Sequence, residues 1–210
     1  MEHWESHAGL AQKMISAFQK RQIQAWYCPN GQQAKDLILS LIPSGSSIGW
    51  GGSKTLTQIG VMNAIRGGQY RLFDRDMKMN QEERKAVYAS IQTADYFLTG
   101  SNAVTQDSVL INVDGRSDRV SFLCHGPRNV IVAVGMNKVV PDIPSGLDRV
   151  WKVAGPMNAK KLGRNTPCAV AGACNHCLSP ECLCSNIVIT RRSAYANRIQ
   201  VVLIDEELGF

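Results

Sequence analysis

Short runs of β-branched and aromatic residues alternate with amphipathic stretches along almost the whole chain, and this alternation limits the possible folds more than any other feature. Leu10, Met14, Ile15 and Phe18 recur at helical spacing, Ala25-Trp26-Tyr27-Cys28 reads as a strand, and residues 34–41 read as a helix stopped by Pro43-Ser44-Gly45. Strand 46–50 follows, then a helix carrying Leu56, Ile59 and Val61 that closes at Gly67-Gly68, strand 70–73, a helix over about 81–93 and strand 96–98. Strands separated by helices cannot close as hairpins, so the pattern predicts an α/β fold with a mostly parallel sheet covered on both faces.

The carboxyl-terminal half is read the same way. Residues 109–113 and 120–123 look like a strand pair around Asp114-Gly115, and 130–134 like a buried strand. Ser145 is expected to cap a helix carrying Leu147, Val150, Trp151 and Val153, with a kink at Pro156. Strands 187–189 and 199–204 complete about seven strands in one doubly wound domain spanning 1–210, interrupted by a cysteine-rich insert at about 166–186. The longest strong apolar run, 130–134, falls far short of the roughly 18 residues that span a bilayer. Met1-Glu2-His3-Trp4-Glu5 has neither the basic nor the apolar region of a secretion signal, so a cytoplasmic protein without membrane attachment is expected. Lys and Arg outnumber Asp and Glu by 23 to 17, but no block of five or six basic residues forms a nucleic-acid stripe. The net charge of +6 therefore points to small anionic metabolites rather than nucleic acid.

Open α/β sheets bind ligands at the carboxyl ends of their strands. Gly49-Trp50-Gly51-Gly52-Ser53 joins a predicted strand to a helix, where free N–H groups can hold a phosphate or carboxylate; a plain tight turn is the alternative. The P-loop spacing fails because Ser53 precedes Lys54, and the dinucleotide fingerprint fails because Lys54 takes its third glycine position. Gly100, Ser101 and Asn102 leave the next strand end, with Thr105, Gln106, Asp107, Asn112 and Asp114 close behind, either as ligand contacts or as Asx-rich turns. Asn137 and Lys138 follow strand 130–134 in the same manner. The candidate catalytic residues are Asp107, Asp114 and Lys138. The candidate ligand-binding set is Gly49, Gly51, Gly52, Ser53, Gly100, Ser101, Asn102, Asn112, Asp114, Asn137 and Lys138. No nucleophile, base and orienter can be assembled: Cys124 and His125, adjacent in a predicted strand, would face opposite ways, and Cys28 and Cys124 read as small core hydrophobes.

Five of the seven cysteines crowd into one segment. Cys168-x5-Cys174-x2-Cys177-x6-Cys184 offers four thiolates around a tight C-x2-C, a donor set suited to zinc or an iron–sulfur cluster. Redox-active thiols and reduced structural cysteines stay open beside that reading, since the spacing departs from the ferredoxin run and Cys182 is one thiol too many. An odd total without a secretion signal speaks against a disulfide framework.

Ser47-Ile48-Gly49-Trp50-Gly51-Gly52-Ser53, Ala94-Asp95-Tyr96-Phe97-Leu98-Thr99-Gly100-Ser101-Asn102-Ala103 and Asn112-Val113-Asp114-Gly115 occur in an order that resembles the LUD-domain, lactate-utilisation (LutC-like) family in its short single-domain form. Gly126-Pro127-Arg128, Gly135-Met136-Asn137-Lys138, Pro156-Met157-Asn158-Ala159-Lys160-Lys161, Thr166-Pro167-Cys168 and Glu207-Leu208-Gly209-Phe210 carry the likeness over essentially the whole chain. The resemblance implies a fold similar to ribose-5-phosphate isomerase, glucosamine-6-phosphate deaminase and the coenzyme A transferases, with the loop 49–53 and the turn 100–102 bordering the ligand site. It also implies that Asn102 stands where the isomerases carry a carboxylate. It further implies support of lactate-to-pyruvate oxidation alongside iron–sulfur partner subunits, and Cys168, Cys174, Cys177 and Cys184 match the family's cysteine pattern. Ser108, His125 and Cys182 depart from the family. A stand-alone isomerase-like or coenzyme A transferase-like enzyme is one alternative expectation, and a non-enzymatic subunit holding a metal or cluster is the other. A homodimer is compatible with each.

Overall fold

The computed structural model describes residues 6–210, so the reading of residues 1–5 as carrying no secretion signal lies outside the described chain. Ser6 accepts a hydrogen bond from Gly9 N and starts α1 (His7–Lys20), which buries Ala11, Met14 and Phe18. Then come β1 (Gln24–Cys28), α2 (Gly31–Ser40) capped by Asn30, and β2 (Ser47–Trp50), buried throughout. The single helix expected next is two, α3 (Lys54–Gln58) and α4 (Val61–Gly67), because Gly60 takes a left-handed φ of 79° between them. The chain continues through β3 (Arg71–Leu72), α5 (Gln81–Gln92) with its Asn80–Glu83 capping box, and β4 (Tyr96–Gly100).

The second half contains β5 (Ala103–Thr105), β6 (Leu110–Asp114), α6 (Asp118–Cys124), β7 (Asn129–Gly135) and β8 (Val139–Val140). It ends with α7 (Ile143–Arg149), α8 (Gly155–Lys161), α9 (Pro167–Ala171), β9 (Asn186–Thr190) and β10 (Ile199–Ile204). Six strands form a fully parallel sheet in the order β1-β10-β7-β4-β2-β3. On one face α1, α5 and α6 bury Met14, Phe18, Ile91 and Phe122 against Phe97, Val130, Val132 and Val201. On the other, α2, α3 and α4 bury Ile38, Leu56 and Ile65 against Ile48, Leu98, Ile131 and Val202. Burial on both faces explains why these strands read as continuous apolar runs, and the α/β class is the one observed.

Four strands form a second sheet, in the order β8-β5-β6-β9. The expected strands 109–113 and 187–189 belong to it as β6 and β9, and the unexpected β5 and β8 bring the strands among the described residues to ten. A Cβ at Gly146 of α7 would lie 2.1 Å from Ile111 Cδ1, so glycine there lets the helix settle on this sheet.

Residues 120–123, expected as a strand, lie in α6; Val120 and Leu123, three apart, share the inward face with Phe122. Cys124, expected in the core, is exposed at the end of that helix, whereas Cys28 is buried as expected. Asp142, not Ser145, caps α7, its Oδ1 accepting from Ser145 N at 2.8 Å. Pro156 produces no break. The helix runs on from α7 into α8 through a π turn over Val150–Ala154, with Gly155 N donating to Val150 O, and Pro156, which has no N–H to give, follows directly on that widened turn. Among the described residues no helix is long and apolar enough to cross a membrane.

Candidate functional site

Because β2, β4 and β7 run parallel, their carboxyl ends meet at one edge. There β2 delivers Gly51, Gly52 and Ser53, β4 delivers Ser101 and Asn102, and β7 runs into a 3-10 turn over Met136–Lys138. Between these loops, the end of β6, α6 and α8 lies a cavity of about 390 Å³. Its wall carries Lys54, Arg75, Arg116, Arg119, Lys138, Lys161 and Arg164 against only Asp76, Asp114 and Asp118, so the cavity is electropositive.

Arg119, in the first turn of α6, holds the floor together. Nη1 donates to Gly100 O at 3.1 Å and Asn112 Oδ1 at 2.6 Å, and Nη2 to Asn102 Oδ1 and Val113 O, both at 3.0 Å. The guanidinium thereby ties the end of β4 to β6, with its Nε 3.7 Å from Asp114 Oδ2. Burial pulls the Arg119 pKa down while Asp114 and Asp118 oppose that pull, and an arginine stays charged under such a balance. Gly51 is required by the same residue, since a Cβ there would stand 2.6 Å from Arg119 Cγ.

Lys138 is 5% exposed. Its Nζ donates to Thr55 Oγ1 at 3.0 Å, and no carboxylate among the described residues lies within ion-pair distance of it. Burial, then the Arg149 and Arg119 cations, push its pKa down to about 7. The three acidic side chains differ. Asp76 accepts from Trp50 Nε1 and Arg66 Nη2. Asp118 accepts from Tyr88 Oη, Arg116 Nη2 and Arg119 N; burial works to raise its carboxyl, but Arg75, Tyr88 and Arg116 outweigh this and hold it below its ordinary range. Asp114 accepts only from Arg116 N, at 3.2 Å, through Oδ1, and its buried Oδ2 has no hydrogen-bond partner. Arg75 likewise keeps a buried Nη1 with no acceptor.

Gly52, Ser53, Gly100, Ser101, Asn102, Asp114 and Lys138, expected from the sequence to bind ligand, all line this cavity. Ser101 turns its hydroxyl to Ala103 O and Ile111 O, so it contributes backbone rather than side chain. The remaining candidates do not line it. Gly49 lies mid-strand, where a Cβ would meet Ile91 at 2.7 Å. Gly51 and Asn112 lie behind Arg119, and Asn137 accepts from Leu208 N at 3.1 Å, pinning the carboxyl-terminal segment. Asp107, expected as a catalytic candidate, occupies the turn between β5 and β6, ion-paired with Arg21 at 2.7 Å and away from the cavity. Arg75, Arg119, Asn158 and Lys161 were not expected there. Arg75 lies two residues past predicted strand 70–73, so the strand-end rule reaches it; reading 120–123 as a strand concealed Arg119.

Cys168, Cys174, Cys177, Cys182 and Cys184 all line a second, small cavity of about 40 Å³ beside the π turn. It shares Asn102, Val113, Ala154, Asn158 and Leu183 with the larger one. Cys182 Sγ and Cys184 Sγ lie 2.9 Å apart. Burial and the Cys182 sulfur push the Cys184 thiol up to about 12. The donors are numerous and chemically soft, as zinc or an iron–sulfur cluster requires. As placed, however, no three His, Cys, Asp or Glu side chains among the described residues are disposed to hold a metal ion, so the expected set of Cys168, Cys174, Cys177 and Cys184 shares a cavity without forming a ligand cage. A third, more open cavity of about 550 Å³ lies at the amino ends of the strands near His125 and Arg128. Arg198, on its wall, spends its guanidinium on Pro127 O, Leu123 O and Phe122 O.

Comparison with known proteins places these features in context. The model of the LUD domain matches residues 11–204. No curated protein sequence matches the chain. Among solved structures, a DUF162 family protein from Deinococcus radiodurans superposes with a TM-score of 0.55 at 14% identity, over 95% of this chain and 99% of that one. eIF2B beta from Chaetomium thermophilum aligns with a TM-score of 0.35 at 19% identity, over 55% of this chain and 44% of that one. The first of these shares the fold.

Proposed function

The chain belongs to the LUD-domain family, and on that footing we propose that it binds a small anionic metabolite in the cavity at the carboxyl ends of β2, β4 and β7, in support of lactate or related organic-acid utilisation. The observation that carries this reading is the pair of unmatched atoms on a cationic wall. Arg75 Nη1 is a buried donor without an acceptor, and Asp114 Oδ2 a buried acceptor without a donor. Each such group costs about 1–3 kcal/mol, which a ligand bearing an anionic group and a hydroxyl would recover. Gly52 leaves the approach open, since a Cβ there would meet nothing within 4 Å. The volume of about 390 Å³ falls within the range of small-molecule sites, roughly 300–1,000 Å³, and suits a phosphorylated metabolite or part of an acyl-coenzyme A better than lactate alone.

An isomerase-like enzyme is the alternative within the same cavity, but Asn102 supplies no base for it. Its Oδ1 is held by Arg119 Nη2 and by Val113 N at 2.9 Å, which leaves Asp114 for any proton transfer. The reading extends to a cytoplasmic protein acting as one domain, as a monomer or homodimer, beside separate iron–sulfur subunits; co-purification tests that part. A second reading gives the cysteine segment zinc or a cluster and is favoured by the five thiols facing one cavity. Metal and acid-labile sulfide content of protein purified without oxygen tests it.

The anion reading is tested by thermal shift and calorimetry against lactate, pyruvate, sugar phosphates and acyl-coenzyme A. A ligand at 100 times its Kd adds about 2.7 kcal/mol to stability, enough to be seen. At least one anion is expected to bind, more weakly in Arg75→Met; silence across the whole panel contradicts the proposal.

A further inference from the structure

We propose that Lys138 is a covalent nucleophile, whose ε-amine condenses with the carbonyl carbon of an aldehyde or ketone that also carries a phosphate or carboxylate, forming an iminium inside the cavity. The inference rests on the anion-binding reading and deepens it by naming the second group recognised.

Three observations lead there. First, Lys138 ends the rigid turn that follows β7, is 5% exposed and lines the cavity, yet has no carboxylate partner among the described residues. A buried lysine kept for structure is normally paired. Second, its charged neighbours are immobilised and of like sign. Arg149 donates to Asn102 O and Phe210 O at 2.6 and 3.0 Å, and Arg119 to four oxygens of β4, β6 and Asn102. Neither can turn away, so burial together with these two cations keeps the amine in the neutral, nucleophilic form above about pH 7. A lysine intended only as a counter-ion would gain nothing from that arrangement. Third, the same wall supplies the complement: Arg75, whose Nη1 has no acceptor, for the anionic group, and the Asp114 carboxylate, whose Oδ2 lies 3.7 Å from Arg119 Nε and has no hydrogen-bond partner.

The chemistry balances without redox. The amine lone pair forms the C–N bond, and the carbonyl oxygen takes a proton to give a carbinolamine. That oxygen then leaves as water with a further proton, and the nitrogen retains one hydrogen in the iminium. Overall, amine, carbonyl and one proton give iminium and water, and the carboxylate assigned to carry protons between nitrogen and oxygen is Asp114, on the wall of the same cavity.

The test is reductive trapping with sodium cyanoborohydride on the full chain, followed by peptide mass mapping. Dihydroxyacetone phosphate and pyruvate are the carbonyl probes, representing the phosphate and carboxylate sources; glycerol 3-phosphate and lactate are their counterparts without a carbonyl. The expected result is an adduct on Lys138 with at least one carbonyl probe, formed before any on Lys54 or Lys161 of the same cavity, and none with the counterparts. Lys138→Arg, whose guanidinium cannot condense, is expected to lose the adduct; should that variant not fold, trapping on the wild type decides alone. A carbonyl probe that binds by calorimetry yet leaves Lys138 unmodified overturns this inference and leaves the anion reading standing. No binding by any of the four probes or the wider anion panel overturns both.

Discussion

Replacing Lys138 with methionine is expected to stabilise the folded protein, most strongly at low pH. The ammonium is 5% exposed, has Thr55 Oγ1 as its hydrogen-bond partner, and titrates at about 7 in the folded chain instead of at its ordinary 10.5. Between those values the unfolded chain holds a proton that the folded chain lacks, so wild-type stability rises with pH across that window. Below about pH 7 the folded state bears the full penalty of burying the charge. At about 1.4 kcal/mol for each pH unit of depression, that penalty is roughly 4–5 kcal/mol. Methionine is unbranched, apolar and of similar length, and the substitution forfeits one hydrogen bond worth about 1 kcal/mol. The net gain is therefore about 3 kcal/mol at pH 6, fading as the pH approaches 10. Urea unfolding of both proteins followed by circular dichroism between pH 6 and pH 9 measures it, and taking their difference cancels every other titrating group. A variant less stable than the wild type at pH 6, or a difference that does not change with pH, would refute the reasoning.

Three further substitutions separate structural from binding roles. Arg119→Met removes four hydrogen bonds and strands Asp114 beside an apolar side chain, with an expected loss of about 3–5 kcal/mol in urea unfolding. Gly51→Ala puts a methyl 2.6 Å from Arg119 Cγ and 3.3 Å from Phe97 Cζ; it is expected to cost about 1–3 kcal/mol and to weaken anion binding by tilting the floor. Arg75→Met leaves Asp118 with Arg116 and Tyr88, so stability should change by less than about 1.5 kcal/mol, while anion affinity measured by calorimetry falls about tenfold or more.

The central sheet was legible in the sequence for a physical reason. Strands buried on both faces leave unbroken apolar runs such as 130–134, and helices with side-chain caps such as Asn80 declare their starts. The second sheet was less so: β8 has two residues and β5 three, too short for any periodicity. Val120, Phe122 and Leu123 fit a strand and a short helix equally well, and packing against α5 and β4 decides for the helix. In the cavity, Gly52, Ser53, Asn102, Asp114 and Lys138 were found because each follows a strand end or a turn at that edge. Arg119 was not, because its role lies in contacts to Gly100 and Asn112 that only the fold creates. Asp107 looked equivalent to Asp114 in sequence, but the hairpin of β5 and β6 sends it to the opposite end of those strands, beside Arg21. That Lys138 lacks a carboxylate partner is likewise a property of packing, beyond the reach of spacing.

The most direct test of the central claim is a crystal structure of the protein with dihydroxyacetone phosphate at saturating concentration. The account predicts the phosphate beside Gly52, Ser53 and Arg75, with the three-carbon chain directed toward Asp114 and Lys138. A ligand seated instead in the groove at the amino ends of the strands, beside His125 and Arg128, would contradict it, as would a strand-end cavity that stays empty with this ligand and with every other anion of the panel.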